Sequence, residues 1–224
     1  MTYKWLSYPL STSSPRPPAI PAPSITEFMS IEKTGANVQF LQCYNHTGTH
    51  LDTAAHVIEG GISIAQFTPA DLIFDSIMVI DLSGTLEDTV VTSEHLVAFM
   101  SENSDAEALI VKFGVEGWRQ NDPKRFSNHC PGFSPKAAKY IHGKMPKLRL
   151  IGTDVPSIAC INSLDETMMV HNEFFLLASL EKFIIVEEMK LDTSLSDIRR
   201  IIVSPWLAEE MNSGPCVIWA EYEE

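Results

Sequence analysis

The chain has 224 residues, of which 45% are hydrophobic and 20% are charged, and its formal net charge is −13. This hydrophobic content excludes general disorder. The length and the lack of an internal linker favour a single domain over residues 1–224. An acidic surface repels phosphate groups, so neither nucleic acid nor an anionic membrane is expected as a partner.

The first 25 or so residues are rich in proline and serine. Proline neither continues a helix nor pairs inside a sheet, so composition favours a solvated tail, with an arm wrapped over the body or a neighbouring subunit as the alternative. The N-terminus lacks the basic start and apolar run of a signal peptide, and no stretch approaches the ~20 apolar residues of a membrane span. The four cysteines are far apart, with no CxxC pair. These features predict a cytoplasmic protein with reduced thiols.

Strand and helix patterns alternate along the rest of the chain. Helical patterns cover residues 93–100 and 134–142, and the second has Ser134 as its N-cap and Pro135 at its first position. The strand patterns cover residues 36–41, 76–82, 108–115, 148–152, 182–186, 201–203 and 217–222. This alternation predicts an α/β domain in which helices flank a mixed sheet.

The stretch NHTGTHLDTAAHVIEGG, residues 45–61, contains three of the seven histidines and one aspartate between them. These residues are His46, His50, His56 and Asp52. Imidazole nitrogen and carboxylate oxygen are donors that suit a borderline metal such as zinc or manganese. There is little structural reason to group these side chains, so the stretch predicts a metal site.

Neither a continuous helix nor a straight strand lets these four side chains converge. On a helix, Asp52 would point away from His46, and a straight strand would separate the two residues by about 20 Å. A bend at Gly48 brings them together, because glycine accepts the backbone angles that a bend requires. We therefore predict a loop over residues 46–51, followed by a helix that begins near Asp52 and carries His56.

The segment HTGTHLDTAAH resembles the H-x-G-T-H-x-D-x-P-x-H signature of the metal-dependent cyclase and hydrolase superfamily. This superfamily includes bacterial kynurenine formamidases, isatin hydrolases and proteins described as cyclases. Further similarity extends over most of the chain, in the segments SYPLSTSSP, SIMVIDLS, EGWRQNDPKRFSNHCPGFSPKAAKYI, LIGTDVPSI and HNEFF…IIVEEM. The resemblance implies a swivelling β/β/α domain, assembled as dimers or larger homo-oligomers.

The resemblance also implies roles for individual residues. Metal ligation is implied for His46, His50, Asp52, His171 and Glu187. The last two would complete a second metal site, as in the formamidases, and Asp52 would bridge both ions. His56 would act as the catalytic acid and base or would lie at that second site.

Two departures from the family pattern concern the metal site. Ala54 replaces the proline of the signature, and a helix tolerates alanine at this position. The segment between His171 and Glu187 is longer than is usual in the family, by about one helical turn. Glu188 and Glu173 are therefore alternative ligands.

The predicted substrate contacts are Trp118 and His129, which lie in the longest of the similar segments. The sequence before Trp118 reads GVEG, where the family often has a threonine before the glycine. The alternative roles are packing in the core for Trp118 and stabilisation of a loop for His129.

These features predict a metal-dependent hydrolase of a C–N amide bond. Water activated by one or two Zn²⁺ or Mn²⁺ ions would attack an aryl formamide or a cyclic amide, and His56 would pass a proton to the leaving nitrogen. The resemblance makes N-formylkynurenine, an amide of tryptophan catabolism, the leading expected substrate, because it is the best-defined substrate of the family. The alternatives are a cyclase or dehydratase that acts on a polyketide-like substrate, and a relative that binds a metal or small molecule without turnover. The expected partners are a small-molecule substrate and further copies of the chain, in a homodimer or higher homo-oligomer.

Overall fold

The computed structural model describes residues 1–16, 19–85, 87–161, 164–178 and 182–223. Within them, the strands are β1 (Thr2–Trp5), β2 (Ser24–Met29), β3 (Val38–Gln42), β4 (His50–Asp52), β5 (Ile73–Phe74), β6 (Ile77–Asp81), β7 (Val90–Val91), β8 (Ala108–Lys112), β9 (Gly132–Phe133), β10 (Leu150–Thr153), β11 (Ile184–Glu187), β12 (Ile198–Pro205) and β13 (Ser213–Tyr222). The helices are α1 (Ile31–Thr34), α2 (Ser93–Leu96), α3 (Glu116–Asn121), α4 (Pro123–Asn128), α5 (Pro135–Lys144) and α6 (Leu164–Leu177). Short 3-10 turns cover Ala54–His56, Ile64–Gln66 and Pro69–Leu72.

A mixed sheet holds most of the strands, in the order β5-β12-β13-β4-β11-β10-β8-β6, with β1 paired to β13. Neighbours from β6 to β11 are parallel, and their apolar sequences suit strands that are buried on both faces. Neighbours from β11 through β4 to β5 are antiparallel. The sheet curves so far that β6 lies against β12. This architecture confirms the predicted mixed sheet with flanking helices.

Alternate side chains of the parallel strands enter two different hydrophobic clusters, one on each face of the sheet. The cluster under helices α5 and α6 contains Leu109, Val111, Ile151 and Ile185. The cluster on the other face contains Ala108, Ile110, Leu150, Ile184 and Val186. Leu51 of β4 belongs to this second cluster. The neighbours of Leu51 in the strand, His50 and Asp52, therefore face the side of the sheet that the helices cover.

The first residues form part of the sheet, so the expectation of a solvated tail is wrong for them. Strand β1 pairs antiparallel with β13, with Trp5 opposite Trp219. Leu6 is buried, and its carbonyl accepts a hydrogen bond from the backbone of Lys190. The composition of the first residues does not reveal this pairing, because the partner strand lies at the opposite end of the chain. Residues 17 and 18 of the proline-rich segment lie outside the described residues.

The local structure around the histidine motif differs from the predicted loop and helix. Residues 50–52 form β4, which pairs with β11 on one side and β13 on the other. His56 lies on the 3-10 turn Ala54–His56 instead of a helix that begins near Asp52. The local pattern did not reveal the strand, because two distant neighbours supply its hydrogen bonds. Gly48 has φ +68°, so the backbone does bend where the sequence placed a bend.

Several other predicted boundaries shift. Helix α2 ends at Leu96 rather than at residue 100. Strand β8 ends at Lys112, because the next three backbone N–H groups donate to the buried carboxylate of Asp154. Strand β2 and helix α6 carry no counterpart among the predicted elements. In the part of the chain that the structure describes, no helix combines the length and the apolar character needed to cross a bilayer.

Candidate metal centre

Six polar side chains converge on the helix-covered face of β4. They are His46, His50, Asp52, His56, His171 and Glu187. Asp52 lies at the centre of the group. Its Oδ1 is 3.3 Å from His46 Nδ1 and 4.0 Å from His50 Nε2. Its Oδ2 is 3.7 Å from His171 Nε2 and 4.0 Å from His56 Nε2.

Glu187 links two of the histidines. Its Oε2 is 3.1 Å from His50 Nε2, and its Oε1 is 3.2 Å from His171 Nε2. The antiparallel register of β4 and β11 places Glu187 directly opposite His50, and helix α6 supplies His171. The backbone N–H of Ile158 also donates to Glu187 Oε1, at 2.7 Å. The carboxylate is therefore held on both of its oxygens.

Two of the imidazole rings are oriented by backbone carbonyls. Nδ1 of His50 lies 2.8 Å from the carbonyl oxygen of Gly48, and Nδ1 of His171 lies 2.8 Å from that of Thr167. A carbonyl only accepts, so we assign the proton of each neutral ring to Nδ1. The lone pair on Nε2 then points towards the carboxylates. Metal-ligating histidines are oriented by the same kind of outer hydrogen bond.

Three atoms at the centre of this group are buried without a hydrogen bond of ordinary geometry: His50 Nε2 and both carboxylate oxygens of Asp52. Asp52 is 0% exposed. Burying a carboxylate without hydrogen bonds is costly, whereas a divalent cation would compensate its charge and its lone pairs. These residues therefore fit a bound metal ion.

The donor atoms form two subsets, and within each subset all donor atoms lie within 4.8 Å of one another. Both subsets contain Asp52. One subset adds His46 and His56, and the other adds His50 and Glu187. Nitrogen and oxygen donors of this kind suit Zn²⁺ or Mn²⁺. The shared aspartate makes the arrangement suitable for either one ion or two.

The close contacts shift the pKa values of these groups. Burial alone would lower the pKa of His50, but Glu187 and Asp52 raise it to about 9. Burial likewise opposes the shift of His171, whose pKa the same two carboxylates raise to about 8. Burial raises the pKa of Glu187, yet its contacts with His171 and His50 hold that pKa well below its ordinary range. Burial lowers the pKa of His56, which is therefore neutral at pH 7.

The centre is accessible on one side. The side chains of His46 and His56 are 21% and 16% exposed, whereas those of Asp52, His50 and Glu187 are at most 4% exposed. The two more exposed rings lie next to each other, with their centroids 4.5 Å apart. A small molecule would therefore approach the centre past His46 and His56.

Sequence reasoning missed a polar group that supports His46. Ser213 Oγ lies 3.2 Å from His46 Nε2 and accepts a hydrogen bond from Asn45 Nδ2. Asn45 Nδ2 also donates to Asn212 Oδ1, at 3.1 Å. Ser213 reaches the centre because β13 pairs it with Asp52. No local pattern in the sequence indicated this contact, since it depends on the order of strands in the sheet.

The side chains of the two alternative glutamates pair with other residues. Glu188 pairs with Arg119, whose Nη2 is 2.8 Å from Glu188 Oε1, and burial raises the pKa of its carboxyl. Glu173 pairs with Lys139 at 3.4 Å. Glu187 is therefore the glutamate that the structure brings to His50 and His171, and its role as a ligand stays a prediction.

The two residues predicted to contact substrate have other neighbours. Trp118 packs against the hydrophobic cluster under helices α5 and α6, and the guanidinium of Arg125 lies 3.8 Å from its ring centroid. His129 is nearly half exposed, and its Nδ1 lies 3.1 Å from Asp88 Oδ2. These contacts correspond to the alternative roles, packing and loop stabilisation. A role in substrate binding stays a prediction for both residues.

Comparison with known sequences gives two matches. A family model described as "Putative cyclase" matches residues 5–159. An uncharacterized protein of Haemophilus influenzae is 25% identical over 113 residues, which cover 50% of this chain and 78% of that protein. The family match includes the histidine motif but ends before His171 and Glu187.

Comparison with solved structures gives similar folds over nearly the whole chain. Isatin hydrolase A from Ralstonia solanacearum has a TM-score of 0.80 at 19% identity, over 99% of this chain and 92% of that chain. Isatin hydrolase A from Labrenzia aggregata, bound to benzyl benzoate, has a TM-score of 0.79 at 18% identity, over 99% and 94% of the two chains. A metal-dependent hydrolase from Bacillus stearothermophilus, described as predicted, has a TM-score of 0.72 at 18% identity, over 98% and 97%. At these identities the similarity establishes the fold.

Proposed function

This chain belongs to the cyclase family, and from that premise we propose that it is a metal-dependent hydrolase of a C–N amide bond. The observation that carries the proposal is the carboxylate of Asp52, which is fully buried among four imidazoles without a hydrogen bond of ordinary geometry. A cation is the partner that makes such an arrangement favourable.

The proposed ligands of one or two Zn²⁺ or Mn²⁺ ions are His46, His50, Asp52, His171 and Glu187. When bound, such an ion polarises a substrate carbonyl and lowers the pKa of a coordinated water to about 7. His50 and His171 would present Nε2 to the ion, because their Nδ1 atoms are engaged by backbone carbonyls. Glu187, whose two oxygens lie 3.1 and 3.2 Å from these Nε2 atoms, would contribute its carboxylate to the same site.

His56 is the proposed acid and base. Its ring lies on the accessible side of the centre, and its lowered pKa keeps it neutral at pH 7. A neutral imidazole accepts a proton from the attacking water and delivers it to the leaving nitrogen. Proximity to Asp52 Oδ2, at 4.0 Å, favours the protonated ring between these two steps.

The proposed substrates are aryl formamides, with N-formylkynurenine of tryptophan catabolism as the leading one, and cyclic amides. The similar folds of two isatin hydrolases support the second class, because isatin is itself a cyclic amide. The alternatives remain a cyclase or dehydratase with a polyketide-like substrate and a protein that binds without turnover.

The test is hydrolysis by metal-free and reconstituted protein. A chelator removes the metal, Zn²⁺ or Mn²⁺ is added back, and a panel of aryl formamides, cyclic amides and esters is assayed. We expect activity only after metal is restored, and no recovery in Asp52→Asn. Hydrolysis that survives chelation would contradict the proposal. Tight metal binding without turnover across the panel would favour the binding protein, and a product that has lost water would favour the cyclase.

We also propose that the chain forms a homodimer through the hairpin of β2 and β3. In residues 24–42 no side chain is buried, although several are large and apolar, among them Ile25, Phe28, Ile31 and Phe40. An isolated two-stranded hairpin is marginally stable in water, so a partner surface would stabilise this one. A second copy supplies such a surface by two-fold symmetry.

A further inference from the structure

We propose that four residues beside the metal centre position His50 and Glu187. These residues, Tyr8, Thr49, Arg119 and Glu188, contact one another in a closed ring that we call the brace. The inference rests on the metal centre proposed above. The four are positioning residues, because Thr49 and Glu188 adjoin the proposed ligands and Tyr8 and Arg119 act through those two residues.

The four residues are linked in a ring of contacts. The backbone N–H of Tyr8 donates to Thr49 Oγ1 at 3.0 Å, and Thr49 Oγ1 donates to the carbonyl oxygen of Glu188 at 2.6 Å. Arg119 donates from Nε and Nη2 to Glu188 Oε1, at 3.0 and 2.8 Å. The guanidinium of Arg119 closes the ring by lying 3.6 Å from the centroid of the Tyr8 ring.

The brace is attached immediately next to two proposed ligands. Thr49 precedes His50 in the chain, and Glu188 follows Glu187. The sheet register pairs His50 with Glu187, whose side chains approach to 3.1 Å. The hydrogen bond from Thr49 to Glu188 therefore joins the two strands one residue beyond the ligand pair. This bond therefore fixes the two strands relative to each other next to the two proposed ligands.

The backbone of Glu188 shows why a brace is needed. Its φ of +54° lies in the left-handed region, which is unfavourable for a glutamate and persists where the surroundings over-determine it. Its N–H donates to the carbonyl of Val155, and its side chain is held by Arg119. This abrupt turn directs Glu187 towards the histidines and Glu188 towards Arg119.

A brace of this kind differs from a buried ion pair that only adds stability. Glu188 is 2% exposed, so loss of Arg119 leaves an unpaired buried carboxylate and destabilises the fold in either case. The discriminating quantity is metal affinity at temperatures where the variant is fully folded. Loss of the outer contacts that orient metal ligands commonly weakens metal binding by about 10- to 100-fold.

The experiment is Co²⁺ titration of metal-free protein, followed by visible absorption, which reports the geometry of the ligands. Thr49→Val removes the hydroxyl at nearly constant volume, and Arg119→Lys removes the two-nitrogen contact and the planar stack. We expect Co²⁺ affinity to fall about tenfold in both, with an altered absorption spectrum. Thr49→Ser keeps the hydroxyl and should bind as wild type.

Arg149→Lys is the matched control. Arg149 also pairs with a glutamate, Glu107, at 3.2 Å, and also lies over an aromatic ring, that of Phe74. It precedes β10 at the end of the sheet opposite Glu187. We expect this control to lower the melting temperature and leave Co²⁺ affinity and spectrum unchanged.

The possible outcomes separate the proposals. Wild-type protein that binds no Co²⁺ would overturn the metal centre and the brace together. Wild-type binding with unchanged affinity and spectrum in Thr49→Val and Arg119→Lys would overturn the brace alone. Should Arg119→Lys fail to fold, two variants of the partly exposed Tyr8 replace it. Tyr8→Ala removes the ring under Arg119 and should weaken Co²⁺ binding, whereas Tyr8→Phe keeps the ring and should bind Co²⁺ as wild type. Equal Co²⁺ affinity in the two variants would overturn the brace.

Discussion

Asp52 combines two properties that are difficult to reconcile without a cation. Its side chain is fully buried, yet its two oxygens face imidazoles at 3.3 to 4.0 Å without ordinary hydrogen bonds. A structural aspartate looks different in the same molecule: Asp154 accepts from three backbone N–H groups at 2.7, 2.8 and 3.3 Å. The contrast separates a carboxylate that accepts hydrogen bonds from a loop from one whose oxygens fit the proposed metal ion.

Replacement of His56 tests its role as the acid and base. His56→Asn should lower the rate of amide hydrolysis by roughly 10²–10⁴, because proton transfer by a positioned side chain contributes about that much. At least one metal ion should remain, since His50, Asp52 and Glu187 form a complete donor subset. The measurements are kcat and metal content. His95→Asn, at an exposed histidine, is the control and should keep both kcat and metal content. Loss of all metal in His56→Asn would refute the acid–base role.

At the scale of the element, the bend at Gly48 separates His46 from His50 and sets the direction in which the chain enters β4. Gly48 has φ +68°, and its carbonyl accepts from Nδ1 of His50. One residue therefore turns the chain and also orients a proposed ligand. The sequence indicated the bend through glycine, but periodicity within the motif did not predict the strand after the bend. Strand β4 has only three residues, and its partners come from distant parts of the chain.

Substitution of this glycine should affect both stability and metal binding. Gly48→Ala should lower the free energy of unfolding by about 1–2 kcal/mol, because a side chain disfavours the left-handed conformation. The added Cβ would meet Leu10 at an ordinary 3.6 Å, so backbone strain alone accounts for the loss. Gly60→Ala is the control, with φ +74° and open space around the added Cβ.

Denaturant unfolding and Co²⁺ titration check this prediction. We expect both alanine variants to lose similar stability and only Gly48→Ala to bind Co²⁺ more weakly. Equal metal affinity in the two variants would show that the bend does not orient His50.

At the scale of the whole molecule, the metal-free protein should lose stability as the pH rises from 6.5 to 9. The pKa values of His50 and His171, about 9 and 8 in the folded protein, exceed the ordinary 6.5. The folded state therefore binds these protons more tightly than the unfolded state. The resulting stabilisation is complete below pH 6.5 and is lost as the pH rises through 8 and 9.

Thermal or denaturant unfolding of chelated protein at pH 6.5 and 9 measures this effect. Glu187→Gln removes the carboxylate that raises both pKa values, so its decline in stability should be smaller. Metal affinity should show the opposite trend and increase with pH, because binding requires neutral imidazoles. Wild-type stability that is constant or increases over this range would contradict the arrangement of charges around the two histidines.

The hairpin predicts a dimer at this same scale. Wild-type protein should elute as a dimer in size-exclusion chromatography with light scattering, and the double variant Phe28→Ser, Phe40→Ser should be monomeric. These side chains are 75% and 59% exposed in the single chain, so their replacement should not unfold it. Leu207→Ser, at a residue 75% exposed outside the hairpin, should remain dimeric. A monomeric wild type would refute the interface.

Local chemistry in the sequence was sufficient to indicate the fold class and four of the side chains that converge on the candidate metal centre. Four of the six converging side chains lie within residues 46–56, and apolar runs such as residues 108–112 mark buried strands. These signals depend only on residue type and on spacings of a few residues, so they are visible in the sequence before the fold is known.

The tertiary structure alone decided how distant segments meet. It placed β1 beside β13, made residues 50–52 a strand, and directed Glu187 rather than Glu188 towards the histidines. It also brought Ser213 to His46 and joined the brace behind the ligands. Such contacts arise from strand order and register, and these are set by packing between residues far apart in the chain, which no local periodicity records.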